Sequence, residues 1–314
     1  MAESNYQPDN QDTNTDQNFS EDHKAGFVSI IGRPNVGKST LMNQLVGERL
    51  SIITSKAQTT RHRIMGILNG KDYQIAYSDT PGMLKPQYEL HKSMMRFVHD
   101  SLEDADVVLF ITDVFEKYTP EDEEVQLLKR TEAPVIILVN KVDVAKEGQL
   151  EAAQNFWKNQ QVAEVILPIS ALQGLNIGEA FDAILERIPQ HPPFFPKDML
   201  TDKPERFFAA EMVREKIFLN YKKEVPYSTE VVIEEFKESD NIIRIRAEIY
   251  VERKSQKGIL IGQGGEMLKK VGIQARADLE TFFQKQVHLE TFVKVAQDWR
   301  KKSQNLNRFG YNPR

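Results

Sequence analysis

The run Gly32-Arg33-Pro34-Asn35-Val36-Gly37-Lys38-Ser39 constrains this chain more than any other feature. It has the spacing Gly-x-x-x-x-Gly-Lys-Ser/Thr, follows the apolar run Phe27-Val28-Ser29-Ile30-Ile31 and precedes a helical pattern at about residues 39–47. Glycines let a backbone wrap so that successive N–H groups converge on one anion. The helix N-terminus that follows adds its partial positive charge. A phosphate cradle at the C-terminal end of a strand is therefore expected. Within it Lys38 would reach the terminal phosphates of a nucleoside triphosphate, and the Ser39 hydroxyl, beside Thr40, would ligate Mg²⁺.

The chain around the cradle alternates strand and helix. Val107–Ile111, Val135–Val139 and Val165–Ile169 are β-branched runs that read as buried parallel strands. Arg63–Leu68 and Tyr73–Ser78 flank Asn69-Gly70, a hairpin signal that makes the sheet mixed. Helical patterns lie near residues 89–102, 120–131, 149–160 and 176–188, which predicts an α/β sheet covered on both faces. Pro189-Gln190-His191-Pro192-Pro193-Phe194-Phe195-Pro196 ends that rhythm, because no helix or central strand tolerates such proline density. The expected organisation is a polar, acidic tail over 1–24, an α/β domain over 25–190, a proline-rich linker over 191–204, an α+β domain over 205–297 and a basic tail over 298–314. Cysteine is absent, so disulfides and thiolate sites are excluded and a cytoplasmic, reducing setting is expected. No apolar run approaches the ~18 residues of a spanning helix.

Further motifs follow at strand ends. Asp79-Thr80-Pro81-Gly82 places a carboxylate where it can hold Mg²⁺ through water, and the Gly82 N–H where it can sense a γ-phosphate. Asn140-Lys141-Val142-Asp143 would select the base. The two acceptor oxygens of Asp143 match the N1–H and N2–H₂ donors of guanine, whereas adenine would leave a carboxylate unpaired. The Lys141 stem can lie over the base, and Asn140 can bond N7 or brace the phosphate loop. Ser170-Ala171-Leu172 would offer the Ala171 N–H to O6.

In this order the motifs resemble the Ras-like GTPase superfamily. The resemblance implies GTP and GDP as ligands, with Lys38, Thr60 and Gly82 as the catalytic contacts. It places a Mg²⁺-ligating threonine within Gln58-Thr59-Thr60-Arg61, with Thr60 ahead of Thr59. Met83 stands where Ras has a water-orienting glutamine, which implies slow intrinsic hydrolysis. Asn35 stands where potassium-activated relatives carry a cation-ligating asparagine, which implies K⁺ as an activating ion.

The charge is uneven. Residues 205–314 hold 21 Lys/Arg against 16 Asp/Glu in a chain of net charge −5, a balance that fits a polyanion partner or a solvated basic face. The same region reads helix, strand, strand, helix, glycine turn, helix, strand. The turn Ile261-Gly262-Gln263-Gly264-Gly265, in that order of elements, resembles a type II KH domain. In such a domain the glycines let a single-stranded nucleic-acid backbone approach. Lys257, Lys269 and Lys270 would serve the phosphates, with Ile259 and Ile261 against the bases and Gly258 in the same RNA-binding stretch.

Both halves, with Ser51–Arg63, Val225-Pro226-Tyr227-Ser228 and Glu252–Gly265, resemble the Era-like family of bacterial ribosome-assembly GTPases over about residues 26–300. That resemblance implies a monomer whose KH groove takes the 3′ end of 16S ribosomal RNA during small (30S) subunit maturation. It also implies peripheral association with the cytoplasmic face of the membrane.

Overall fold

The computed structural model describes residues 22–311. The first unit runs β1 (Lys24–Ile31), α1 (Lys38–Val46), β2 (Ile64–Asn69), β3 (Tyr73–Asp79), α2 (Glu89–Glu103), β4 (Val107–Asp113), α3 (Glu123–Leu128), β5 (Val135–Asn140), α4 (Gln149–Gln160), β6 (Val165–Pro168) and α5 (Ile177–Arg187). Its strands form one six-stranded sheet ordered β2-β3-β1-β4-β5-β6, parallel except for β2 against β3. Successive strand residues feed opposite cores. Ile30, Leu109 and Leu138 pack with Leu41 and Met42 of α1, while Ile31, Phe110 and Ile137 pack with Val98 of α2 and Trp157 of α4. Burial on both faces is why these strands read as continuous apolar runs.

The second unit runs α6 (Glu205–Asn220), β7 (Glu230–Glu238), β8 (Ile242–Val251), α7 (Lys254–Ile261), α8 (Glu266–Phe283) and β9 (Gln286–Val295), followed by α9 (Ser303–Arg308). The sheet order is β7-β8-β9, with β7 antiparallel and β9 parallel to β8. Ile243, Ile245, Ala247 and Ile249 point into the core under α6 and α8, as strict alternation along β8 dictates. The mixed α/β unit followed by the α-β-β-α-α-β unit is the architecture expected from the sequence.

Several segments differ from expectation. Most of the anticipated tail lies outside the described residues, but Lys24 already belongs to β1, where its N–H donates to the Asp72 carbonyl (3.0 Å). The α3 helix keeps only Glu123–Leu128 of the predicted 120–131, because Asp122 turns back to accept from Thr119 N–H (3.0 Å). The proline-rich stretch is stitched to the sheet instead of hanging free. Buried Gln74 accepts from the N–H groups of Phe194 (2.7 Å) and Phe195 (2.9 Å), and Ile67 N–H donates to the Leu200 carbonyl (2.8 Å). The Ile67 bond and the bridge from Gly66 to Thr201 cover the free edge of β2, which removes a template for unwanted pairing.

The C-terminal segment, expected as a basic tail, is a packed strap, because its aromatic residues outweigh its charge. Trp299, Leu306, Phe309 and Tyr311 form one cluster with Leu90, Met94 and Phe97 of α2 and Tyr250 of β8. The Trp299 indole N–H donates to the Ser228 carbonyl (2.9 Å), and the Tyr311 hydroxyl donates to Glu230 (2.5 Å). The strap thus touches both units. Trp299→Ala is expected to cost about 3–5 kcal/mol of unfolding free energy, the usual range for a buried aromatic truncated in a core, read as a lower urea midpoint.

Candidate phosphate-binding cavity and glycine turn

The phosphate loop joins β1 to α1 through backbone that most residues avoid. Gly37 has φ 105°, and a Cβ there would lie 2.2 Å from Asn140 Nδ2. A side chain at this position would push apart the phosphate loop and the end of β5. Lys38 folds back, its ammonium donating to the carbonyls of Gly32 (3.1 Å) and Arg33 (2.8 Å). Burial pushes that ammonium down to about 8, opposed by the Asp79 carboxylate.

A cluster of hard oxygens lies beside it. Ser39 Oγ donates to Asp79 Oδ2 (2.6 Å) and lies 2.9 Å from Thr60 Oγ1, which itself reaches Asp79 Oδ2 at 3.4 Å. Among the described residues the buried Asp79 Oδ1 meets no donor. Burial raises the Asp79 carboxyl, and the Ser39 hydrogen bond and the Lys38 charge pull the other way. Two hydroxyls and a carboxylate with one unspent oxygen fit a small oxygen-loving cation such as Mg²⁺. Thr59, the alternative to Thr60, spends its hydroxyl on Thr54 (2.6 Å) and the Lys56 carbonyl (2.7 Å).

A cavity of about 490 Å³ opens above this cluster. Pro34, Asn35, Gly37, Lys38, Ser39 and Thr40 line one end, with Thr60 and Gly82 beside them; Asn140, Lys141, Asp143, Ser170, Ala171 and Leu172 line the other. Gly32, Arg33, Val36, Asp79, Thr80 and Pro81 do not line it. Val36 is core, the Thr80 hydroxyl donates to the Ile30 carbonyl (2.7 Å), and the Arg33 side chain points elsewhere. Met83 holds the loop after β3 in place, its N–H donating to the Gly32 carbonyl (3.0 Å). Asn35 Nδ2 donates to the Ser55 carbonyl (3.2 Å) across the mouth.

Of the two roles open to Asn140, the structure shows the brace. Its Nδ2 donates to the Val36 carbonyl (2.7 Å) and its Oδ1 accepts from Ala171 N–H (2.9 Å). Here the Ala171 N–H, expected to face O6 of the base, is engaged by Asn140. Asp143 is exposed at the cavity, and Lys141, at φ 64°, donates to Asp113 (2.6 Å).

In the sequence, the segment between α1 and β2 stands out mainly for its threonines. The structure adds a second set of contacts. The Arg61 guanidinium, 0% exposed, donates to the carbonyls of Thr229 (2.7 Å), Tyr227 (3.0 Å) and Pro226 (3.2 Å) and to Glu230 (3.1 Å). Lys56, which also lines the cavity, donates to the carbonyls of Phe218 and Tyr221 at the C-terminal end of α6, and Arg214 of α6 donates to the Thr59 carbonyl. The Tyr221 hydroxyl donates to the Leu260 carbonyl (2.5 Å), two residues before Gly262. None of these contacts has a local sequence signal, because the partners of Lys56, Thr59 and Arg61 are more than a hundred residues away and Leu260 lies 39 residues from Tyr221.

The glycine turn follows α7. Gly262, Gly264 and Gly265 have φ of 74°, 59° and 82°, so each occupies backbone that disfavours a side chain, and space beyond Gly264 and Gly265 is open. Gly258, Ile259, Gln263, Lys269 and Lys270 are exposed around it; Lys257 is half-buried, and Ile261 is half-buried against the core.

A phosphate loop, a base-selecting motif and a carboxylate-hydroxyl cluster at the strand ends, followed by a glycine-turn α+β unit, define a GTPase carrying a KH domain. The family model described as "50S ribosome-binding GTPase" matches residues 27–141, and that described as "KH domain" matches residues 224–300. GTPase Era of Syntrophus aciditrophicus is 45% identical over 292 residues, covering 92% of this chain and 95% of the relative; that of Geotalea daltonii is 47% identical over 300 residues, covering 95% and 99%. A crystal structure of Era in complex with MgGDPNP and nucleotides 1506–1542 of 16S ribosomal RNA is similar, with TM-score 0.88 and 42% identity over 93% of this chain and 100% of that one. An Aquifex aeolicus Era variant bound to GDP·AlF₄⁻ gives TM-score 0.87 at 42% identity over 92% and 100%. The chain belongs to the Era family of GTPases.

The depressed Lys38 ammonium sets a pH dependence. Between about pH 8 and 10.4 the unfolded chain binds more protons at this lysine, so the folding penalty of its burial is relieved as pH rises through that window. A phosphate placed on Lys38 would restore the charged form, so that binding there would take up a proton above about pH 8. Calorimetry of GDP binding at about pH 8.5, in two buffers of different ionisation enthalpy, is expected to show fractional proton uptake that Lys38→Met abolishes. Equal heats in both buffers would contradict the assignment.

Proposed function

We propose that this chain binds GTP or GDP with Mg²⁺ in the cavity, hydrolyses GTP slowly, and binds single-stranded RNA at the 3′ end of 16S ribosomal RNA through its KH domain, in maturation of the small ribosomal subunit. The observation that carries this reading is the convergence of Lys38, Ser39, Thr60 and Asp79 under a cavity whose far end holds Asp143. Ser39 and Thr60 would ligate Mg²⁺ and Asp79 would hold it through water; the ion would supply charge for the β- and γ-phosphates. The protein's own part is position and charge. Lys38 neutralises transferring oxygens, loop N–H groups from Asn35 to Thr40 surround the phosphates, the Gly82 N–H meets the γ-phosphate, and Asp143 pairs with guanine. Met83 cannot orient water, so hydrolysis is slow without an activator. Asn35, beside the Ser55 carbonyl, is the residue for K⁺ activation.

The KH groove would run over Gly262–Gly265, with phosphates on Lys257, Lys269 and Lys270 and bases against Ile259 and Ile261. The segment 50–63 couples the two sites. With GTP bound, Thr60 would be among the residues that hold Mg²⁺, and the same segment holds α6 through Lys56 and the 226–230 turn through Arg61. Tyr221 carries that contact to the residue preceding the glycine turn. Peripheral membrane contact from a cytoplasmic location follows from family membership; among the described residues no helix is long and apolar enough to cross a membrane.

Titration with an oligonucleotide of the 16S 3′ end and a scrambled control, across a salt series, tests the RNA assignment. The reading predicts preference for the native sequence and a salt slope reduced by ~0.7 for each of Lys257, Lys269 or Lys270 changed to alanine. Equal binding of the scrambled RNA would remove the ribosomal assignment and leave the GTPase standing.

A further inference from the structure

The Arg33 side chain leaves the phosphate loop on the side away from the cavity. Its Nε donates to Glu124 Oε1 (2.8 Å), Nη1 to Glu116 Oε2 (3.0 Å) and the Lys117 carbonyl (3.0 Å), and Nη2 to Asp122 Oδ2 (2.9 Å). The guanidinium carbon lies 4.0 Å from the Tyr118 ring centre. That ring is itself anchored, 4.9 Å from Trp157 of α4 and 5.9 Å from Phe110 of β4. Every one of these acceptors belongs to the stretch between β4 and α3 or to the first turn of α3.

The other end of the same stretch reaches the base-selecting motif. Asp113, the last residue of β4, accepts from Lys141 Nζ (2.6 Å) through one carboxylate oxygen and from the N–H groups of Phe115 (2.9 Å) and Glu116 (3.1 Å) through the other. On its main-chain side Arg33 accepts from Lys38 Nζ through its carbonyl. One loop, 113–124, therefore grips the phosphate loop at Arg33 and the guanine motif at Lys141. Only a planar fork with several donors satisfies three carboxylates and a carbonyl at once; a lysine ammonium has one point of charge to give. The carboxylates are part-exposed, at 30%, 29% and 13%, so solvent screens their attraction and the cluster adds little to stability. What it fixes is distance.

We infer that Arg33 is a positioning residue: through the loop 113–124 it holds the phosphate loop in register with the Asn-Lys-Val-Asp motif, so that a guanine nucleotide engages its phosphates and its base together and leaves slowly. This rests on the nucleotide-binding reading and adds to it a residue that does not touch the nucleotide. Loosening the clamp lets one end of the nucleotide release before the other, which raises the dissociation rate and leaves encounter untouched.

Stopped-flow measurement with a fluorescent GDP analogue, on the full chain, tests it in wild type, Arg33→Ala, Arg33→Lys and Arg33→Ala with Glu124→Ala. The expected result is a dissociation rate about tenfold higher for R33A, association within about twofold of wild type, and R33K in between. The double variant should resemble R33A, since the two residues act as one contact. An unchanged dissociation rate in R33A overturns the inference, as does full recovery by R33K, which would assign the effect to charge alone. A rise matched by loss of RNA affinity and a lowered melting temperature also overturns it, since that reports general loosening. Wild type that binds no GDP would instead remove the nucleotide-binding reading itself.

Discussion

A guanidinium with no solvent exposure, that of Arg61, joins the nucleotide half of this protein to its RNA half. A buried charge persists only when its hydrogen bonds are met, and removing one partner of a buried pair typically costs about 3–5 kcal/mol. Both terminal nitrogens of Arg61 are met, by carbonyls of the 226–229 turn and by Glu230, and its Nε alone lacks a partner among the described residues; burial raises the Glu230 carboxyl and Arg61 lowers it. Glu230 in turn receives the Tyr311 hydroxyl, and Tyr311 stacks on His62 at 4.3 Å. Burial, with Arg214, Lys203 and Arg61 nearby, pushes His62 down to about 3, so it stays a neutral ring in that stack. The segment that carries Thr60 to the phosphate site therefore cannot move without disturbing the KH domain or the C-terminal strap.

The two sites differ in how they are built. The nucleotide cavity uses main-chain groups set by rigid strand ends, and Asn140 ties its two halves together from beneath. The glycine turn, proposed to take RNA, uses three glycines at positive φ on a helix end, with open space beyond Gly264 and Gly265. Between them lie Lys56, the C-terminal end of α6, Tyr221 and Leu260, a chain of hydrogen bonds through buried or half-buried groups. A lysine at a helix C-terminus also complements the helix dipole, so Lys56 holds α6 by charge as well as by hydrogen bonding. Such a chain transmits a state only if one end has two arrangements, and on the proposed reading the Thr60 end would take them as a γ-phosphate comes and goes.

Local rules made much of this legible. The phosphate loop, the hairpin at Asn69-Gly70 and the helices Glu205–Asn220 and Glu266–Phe283 follow from spacing, turn chemistry and apolar period, all of which act within a few residues. What escaped is long-range. Arg33 reads as a loop residue beside phosphate, yet its side chain belongs to Glu116, Asp122 and Glu124. The proline-rich stretch reads as a free linker because nothing local reveals Gln74 as its partner. The last residues read as a basic tail because charge is counted along the chain, whereas Trp299 and Tyr311 find their cover on α2 and the turn before β7. The choice of Thr60 over Thr59 needed a family; in space the Thr59 hydroxyl is taken by Thr54 and the Lys56 carbonyl.

The most direct test of the account is the affinity of the full chain for the 16S 3′-end oligonucleotide with Mg²⁺ and either a non-hydrolysable GTP analogue or GDP. Coupling through the buried Arg61 segment predicts dissociation constants that differ by about fivefold or more, a difference that shrinks in Tyr221→Phe. Equal RNA affinity in the two nucleotide states would contradict it.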